Sequence, residues 1–175
     1  MKHRILLITS AILAVGVLVT SSTRVFAANS KKKVTTQQNL KYFKRIVMST
    51  PYDVHFVQGD KNVVKLVGPQ AEVASVVLRV SGETLYIERA TRRSRMFFTS
   101  SDDVDIYVTS PDLTQLEIKG SGDFEANRRV DTDQLTVSIN GSGDIDFKDV
   151  ICDKLEASIS GSGDIDFGKV ECLRA

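Results

Sequence analysis

The sequence has no tryptophan, two cysteines and two histidines among its 175 residues. His3 sits in an apolar N-terminal segment, which leaves His55 as the one imidazole of the main body. That scarcity excludes His-based catalytic triads and His-rich metal centres. A basic excess is missing too, with 23 Lys and Arg against 22 Asp and Glu, a balance that argues against a nucleic-acid partner. Helical periodicity is nearly absent. Only residues 69–75 could hold a short turn, and the rest of the main body alternates apolar with polar side chains, as strands do.

Long apolar runs are limited to one place. Lys2 and Arg4 precede a run from Ile5 to Val19 broken only by Thr9, Ser10 and Gly16, and Val25-Phe26-Ala27 offers a small-residue cleavage site. This pattern predicts an export signal over residues 1–27, since roughly 15 apolar residues fall short of the ~20 that span a bilayer. No cysteine follows the run, which argues against a lipid-anchored N-terminus. Cleavage would remove Lys2, Arg4 and Arg24 and no acid, taking the net charge from +1 to −2 and leaving no transmembrane span. Residues 28–39, with Lys31-Lys32-Lys33 and a Thr/Gln-rich tail, read as a disordered polar leader. Residues 40–175 suit a single domain.

What the chain does have is a phrase repeated three times. Gly-Ser-Gly-Asp occurs at Gly120 to Asp123, Gly141 to Asp144 and Gly161 to Asp164, spaced by 21 and 20 residues. Around each copy Ile118, Ile139 and Ile159 precede the corner in phase, and Phe124, Ile145 and Ile165 follow it. Ala126, Phe147 and Phe167 come next on the same face, and a further in-phase pair, Val150/Cys152 and Val170/Cys172, suggests a third short strand per unit. The expected fold class is therefore all-β, a parallel β-solenoid of 20–21-residue coils with equivalent residues stacked ~4.8 Å apart and a more irregular first half. An antiparallel meander is the weaker rival, because it gives no reason to hold identical residues at one phase. Gly120, Gly122, Gly141, Gly143, Gly161 and Gly163 are the expected structural corners, with Gly141 or Gly143 expected at positive φ. Ile139, Ile145, Phe147, Ile159, Ile165 and Phe167 are the expected interior.

Before the repeats, Val54/Phe56, Val63 to Val67, Val76/Leu78/Val80, Leu85/Ile87 and Val104/Ile106/Val108 read as strands, with a hairpin turn at Ser81-Gly82-Glu83. Arg89, Arg92, Arg93 and Arg95 lead into Met96-Phe97-Phe98. A basic aromatic patch for a glycan or nucleotide is one reading; a solvated loop is the preferred one.

The run Val104 to Leu116 (VDIYVTSPDLTQL) followed by the GSGD units, together with DVHFVQGD, VKLVGP and GETLYIER earlier, resembles the putative auto-transporter adhesin family with a head GIN domain. The resemblance covers residues 40–175. It implies a β-helical fold, a location in the bacterial envelope (periplasm or outer-membrane-associated) or outside the cell, and no catalytic residues. It also implies a longer C-terminus than the one here, so the last unit is expected to fray beyond about Val170.

The polar feature with the most chemical potential is a pair of acidic columns, Asp123, Asp144, Asp164 and Glu125, Asp146, Asp166. They are the only candidate binding residues. The Ca²⁺ nonapeptide pattern needs Asp two residues after the second glycine, where this chain has Phe124, Ile145 and Ile165, so no metal is expected. Equivalent carboxylates in a column do not offer the two unlike environments of a glycosidase pair. At ~4.8 Å in water they repel by only about 0.9 kcal/mol per pair, which a structural ladder tolerates. Ser121, Ser142 and Ser162 lack the nucleophile-elbow pattern and an adjacent base. Cys152 and Cys172 are expected to be neighbours within disulfide reach, with parallel Cβ vectors favouring proximity without a bridge. No cofactor is expected. Three functions remain: an exported, non-enzymatic adhesin-like module binding a surface glycan or envelope protein, a purely structural envelope protein, and a carbohydrate-active enzyme.

Overall fold

The computed structural model describes residues 33–90 and 104–174. The export segment, the start of the leader and Arg92, Arg93, Arg95, Met96, Phe97 and Phe98 lie outside the described residues. Among the described residues, twelve strands form a single curved sheet, and one helical turn joins two of them. They are β1 (Lys33–Asn39), β2 (Arg45–Ser49), β3 (Val54–Gln58), β4 (Val63–Pro69), α1 (Gln70–Val73), β5 (Val76–Ser81) and β6 (Thr84–Arg89). After the second gap come β7 (Asp105–Ser110), β8 (Gln115–Ile118), β9 (Phe124–Ile139), β10 (Ile145–Ile159), β11 (Ile165–Phe167) and β12 (Val170–Arg174). No helix among the described residues is long and apolar enough to cross a membrane.

The sheet order is β1-β4-β7-β3-β9-β8-β2-β6-β5, and β10 adds to β9 and carries β11 and β12. This corrects the expected fold class. The chain is not a parallel β-solenoid of stacked coils but a mixed, open half-barrel, because β4 runs antiparallel to both β1 and β7, and β5 antiparallel to β6. The physical reason lies in the first half. Gly82, at φ 58, closes a two-residue turn that folds β5 back on β6, and no 20-residue period is present there to enforce parallel stacking. Within the repeats the strands are parallel and in register: Ile145 opposes both Phe124 and Ile165, and Cys152 opposes Cys172.

The polar leader is also corrected, since Lys33–Asn39 forms β1 and pairs with the whole of β4. Its side chains are nearly all exposed and only Val34 packs on the core, so the backbone ladder supplies its order. A polar, lysine-bearing strand at a sheet edge is well suited to resist further pairing. The helical turn falls where the periodicity allowed it, in α1.

The core is the concave face. Phe43, Ile46, Met48, Phe56, Leu66, Leu85, Ile87, Ile106, Leu116, Phe124 and Phe147 are all buried. A column of aromatic rings runs through it: Phe56 to Phe124 at 5.9 Å between centroids, Phe124 to Phe147 at 5.5 Å, and Phe147 to Phe167 at 5.6 Å. Ala126, opposite Phe147, leaves room for the larger ring. The expected interior holds for Ile139, Ile145 and Phe147, whereas Ile165 and Phe167 are half-buried and Ile159 is 49 % exposed. Those three belong to the outermost layer, which has a neighbour on one side only. Beyond Val170 the chain forms β12, paired in register with β10, so the expected fraying point falls inside a strand.

The glycine corners serve close approach rather than positive φ. Neither Gly141 nor Gly143 has positive φ; among the described glycines only Gly82 does. A Cβ on Gly143 would instead lie well under 3.0 Å from the carbonyl oxygen of Gly122, one layer below, and a Cβ on Gly141 equally close to that of Gly120. The corners stack backbone on backbone, with Ser142 N–H donating to Gly120 O at 3.1 Å and Ser162 N–H to Gly141 O at 3.0 Å.

Candidate functional site

The six acidic candidates separate into two columns with different surroundings. Asp123, Asp144 and Asp164 stand at the corner, where each backbone N–H donates to the carboxylate of the layer before it. Asp123 N–H reaches Asp53 Oδ1 at 3.0 Å, Asp144 N–H reaches Asp123 Oδ1 at 2.9 Å, and Asp164 N–H reaches Asp144 Oδ1 at 2.8 Å. An anionic acceptor on a backbone donor makes a strong, short bond and offsets the weak repulsion along the column. This column is a structural ladder.

Asp53 belongs to it although Thr50-Pro51-Tyr52, not Gly-Ser-Gly, precedes it. The available signal was the segment after the corner. Asp53-Val54-His55-Phe56 and Asp105-Ile106-Tyr107-Val108 share the Asp-apolar-x-apolar pattern of Asp144-Ile145-Asp146-Phe147. The backbone joins these layers: Ile106 N–H donates to Asp53 O at 2.9 Å, Val54 N–H to Asp123 O at 2.8 Å and Phe124 N–H to Asp144 O at 2.9 Å.

The second column points outward from the variable position of that pattern. Cross-strand register places Lys65, Tyr107, His55, Glu125, Asp146 and Asp166 in one row over six strands, roughly 24 Å long at ~4.8 Å per strand. His55 stacks on Tyr107 at 5.1 Å, and its Nδ1 lies 3.2 Å from Glu125 Oε2. Lys65 Nζ sits 5.2 Å from the Tyr107 ring centre. The side chains of Asp146 and Asp166 make no hydrogen bond or ion pair with any described residue, although their backbones pair in the sheet. No group of three or more metal-ligating side chains occurs among the described residues.

Arg89, the described member of the arginine-rich stretch, turns back into the fold. Its guanidinium lies 3.0 Å from Glu72 Oε2, and Glu72 is buried and accepts a 2.5 Å hydrogen bond from the Tyr52 hydroxyl. Burial and then the bond to Glu72 hold the Tyr52 pKa above its ordinary value. This cluster ties α1 and β6 to the corner at Tyr52 and is structural.

An open groove of about 520 Å³ lies elsewhere, along the starts of β2 and β8, the approach to β6 and the middle of β9. Its charged groups are mostly matched within the chain. Lys44 Nζ pairs with Glu83 Oε2 at 3.2 Å, Arg45 Nε donates to Thr84 Oγ1 at 3.0 Å, and Asp112 Oδ1 accepts from Thr132 Oγ1 at 2.7 Å. Gln115, Asp133 and Gln134 also line it, and their side chains bond to no described residue. Sequence reasoning missed this groove. Its residues are ordinary polar ones on four segments, and only the register that sets Arg45 beside Gln115 and Gln115 beside Thr136 brings them together.

The same fold occurs in solved bacterial proteins. A putative adhesin from Parabacteroides merdae superposes with a TM-score of 0.73 at 18 % identity, covering 83 % of this chain and 59 % of that one. A putative lipid binding protein from Parabacteroides distasonis gives 0.71 at 22 % identity, with 83 % and 61 % covered. A putative adhesin from Bacteroides fragilis gives 0.58 at 18 % identity, with 81 % and 98 % covered. The chain thus spans about three-fifths of the length of the first two. No curated protein matches the sequence. The family model described as "Putative auto-transporter adhesin, head GIN domain" matches residues 42–175, and the chain belongs to that family.

Proposed function

We propose that the protein is an exported, non-enzymatic, adhesin-like binding module of the bacterial envelope or surface, and that its groove takes a polar, hydroxyl-rich ligand of the surface-glycan class. The observation that carries this reading is the unused hydrogen-bonding capacity of Gln115, Asp133 and Gln134 in an open polar concavity. Two amides and a carboxylate present donors and acceptors side by side, as vicinal sugar hydroxyls require. Family membership supports the adhesin-like role, and the signal pattern of residues 1–27 supports export.

The same groove speaks against glycoside hydrolysis, which needs two carboxyl groups in unlike environments. Glu83 is held by Lys44 and Asp112 by Thr132, leaving Asp133 alone. The carboxylates of Asp53, Asp123 and Asp144 are occupied as acceptors of backbone N–H groups.

A glycan array probed with the labelled chain tests the proposal. Wild type should retain a subset of glycans, and the Gln115→Ala/Gln134→Ala variant should lose at least tenfold in affinity for them with an unchanged melting temperature. Retention of no glycan by wild type, or equal affinity of the two proteins, would contradict it.

A further inference from the structure

We propose that Cys152 and Cys172 form an oxidisable dithiol that takes a small-molecule or protein disulfide as co-reactant and closes into a bridge pinning the outermost layer of the sheet. The two residues are direct register partners on the parallel strands β10 and β12, and their Sγ atoms lie 3.2 Å apart. Register partners on neighbouring strands stand ~4.8 Å apart, inside the 4.4–6.8 Å Cα window that a disulfide requires. Both are free thiols in this structure. The parallel Cβ vectors that favour two separate thiols still leave the sulfurs in contact, so closure needs only that the two side chains rotate toward each other.

The two sulfurs are not equivalent. Cys152 is buried on the core face, whereas Cys172 is partly exposed and its Sγ lies 2.8 Å from the Arg174 carbonyl oxygen at the open edge of the sheet. Cys172 is therefore the sulfur that a disulfide reagent meets first. Its thiolate attacks one sulfur of the reagent, a mixed disulfide forms on Cys172, and the reagent's other half leaves as a thiolate. Cys152 then loses its proton and attacks Cys172 Sγ, and the second half of the reagent departs. Two protein thiols are oxidised, one disulfide is reduced to two thiols, and the protons balance. In the reduced dithiol, burial first and the neighbouring Cys172 second push the Cys152 thiol up to about 12. Burial persists when Cys172 carries the adduct, so deprotonation of Cys152 makes the second step the slow one at neutral pH.

The consequence is local. The bridge closes a loop that contains the corner Gly161 to Asp164, β11 and the first half of β12, a segment that exposes Ile159 and Val170. A cross-link of that length restricts the open ensemble of the segment it spans. Oxidation should slow amide exchange in β11 and β12 at least tenfold and leave β3 and β7 unchanged.

The test uses the full chain, reduced, freed of reductant and exposed to glutathione disulfide. At neutral pH wild type should first build up the glutathione adduct and then convert it completely to a form two hydrogens lighter than the reduced chain. From the isolated adduct, closure should accelerate about tenfold per pH unit between pH 7 and 9. Cys152→Ser should accumulate a stable adduct on Cys172, and Cys172→Ser should react at least tenfold more slowly. Two thiols persisting in wild type, or a stable wild-type adduct, would overturn the dithiol. Equal reactivity of the two single-cysteine variants would overturn the order of attack.

Discussion

At the scale of single residues, identity in the repeats follows from what the next layer's backbone allows. Gly143→Ala places a methyl group against the Gly122 carbonyl, so the corner must spread. It should destabilise the protein by about 1–3 kcal/mol in urea titration, as overpacking does. The exposed neighbour Ser142→Ala should change stability by less than about 0.5 kcal/mol. Equal effects would show that the corner has slack. Asp144 can be examined similarly, because its Oδ1 accepts from Asp164 N–H while its own N–H donates to Asp123. Asp144→Ala removes one bond of about 0.5–1.5 kcal/mol, and Asp144→Asn keeps an acceptor and should retain most of it. If the asparagine variant were as unstable as the alanine one, the ladder would not be what selects aspartate here.

Among the elements, burial rather than repeat phase ranks the strands. Phe147 lies between Phe124 and Phe167 and is fully buried, so Phe147→Ala should cost about 3–5 kcal/mol. Ile159 has the same phase as Ile139 but is half exposed, and Ile159→Ala should cost less than half as much in the same thermal or chemical denaturation. Comparable losses would mean that the outermost layer is covered in solution. Much at this scale was legible. Alternation located the strands, the glycine at Ser81-Gly82-Glu83 located the hairpin, and the 20-residue spacing located the Cys152–Cys172 contact. β1 was not legible, because Lys33–Asn39 has one buried apolar contact and owes its order to hydrogen bonds with β4, which leave no trace in side-chain pattern. Gly141 and Gly143 announced a corner but not its cause, since glycine serves positive φ and close approach alike.

For the molecule as a whole, the step from three repeats to an entire solenoid failed for a definite reason. Parallel register runs through the strands that follow the Asp-apolar-x-apolar corner and on into β8, β2 and β6. But β4 and β5 lie outside any repeat and fold back antiparallel, β4 on β1 and β7 and β5 on β6. The half-barrel buries one face and leaves the other with two distinct polar surfaces, the Lys65 to Asp166 row and the groove at Gln115 and Gln134. Sequence phase pointed to part of the first and could not point to the second, because register among four separate segments assembles it. The binding account stands on the groove, and one measurement separates it from the row. A glycan retained on the array, titrated into ¹⁵N-labelled protein, should shift the side-chain amides of Gln115 and Gln134 and the backbone amides of Asp133 and Thr136. Shifts confined to Tyr107, His55, Glu125 and Asp146, with the groove amides unmoved, would contradict the account.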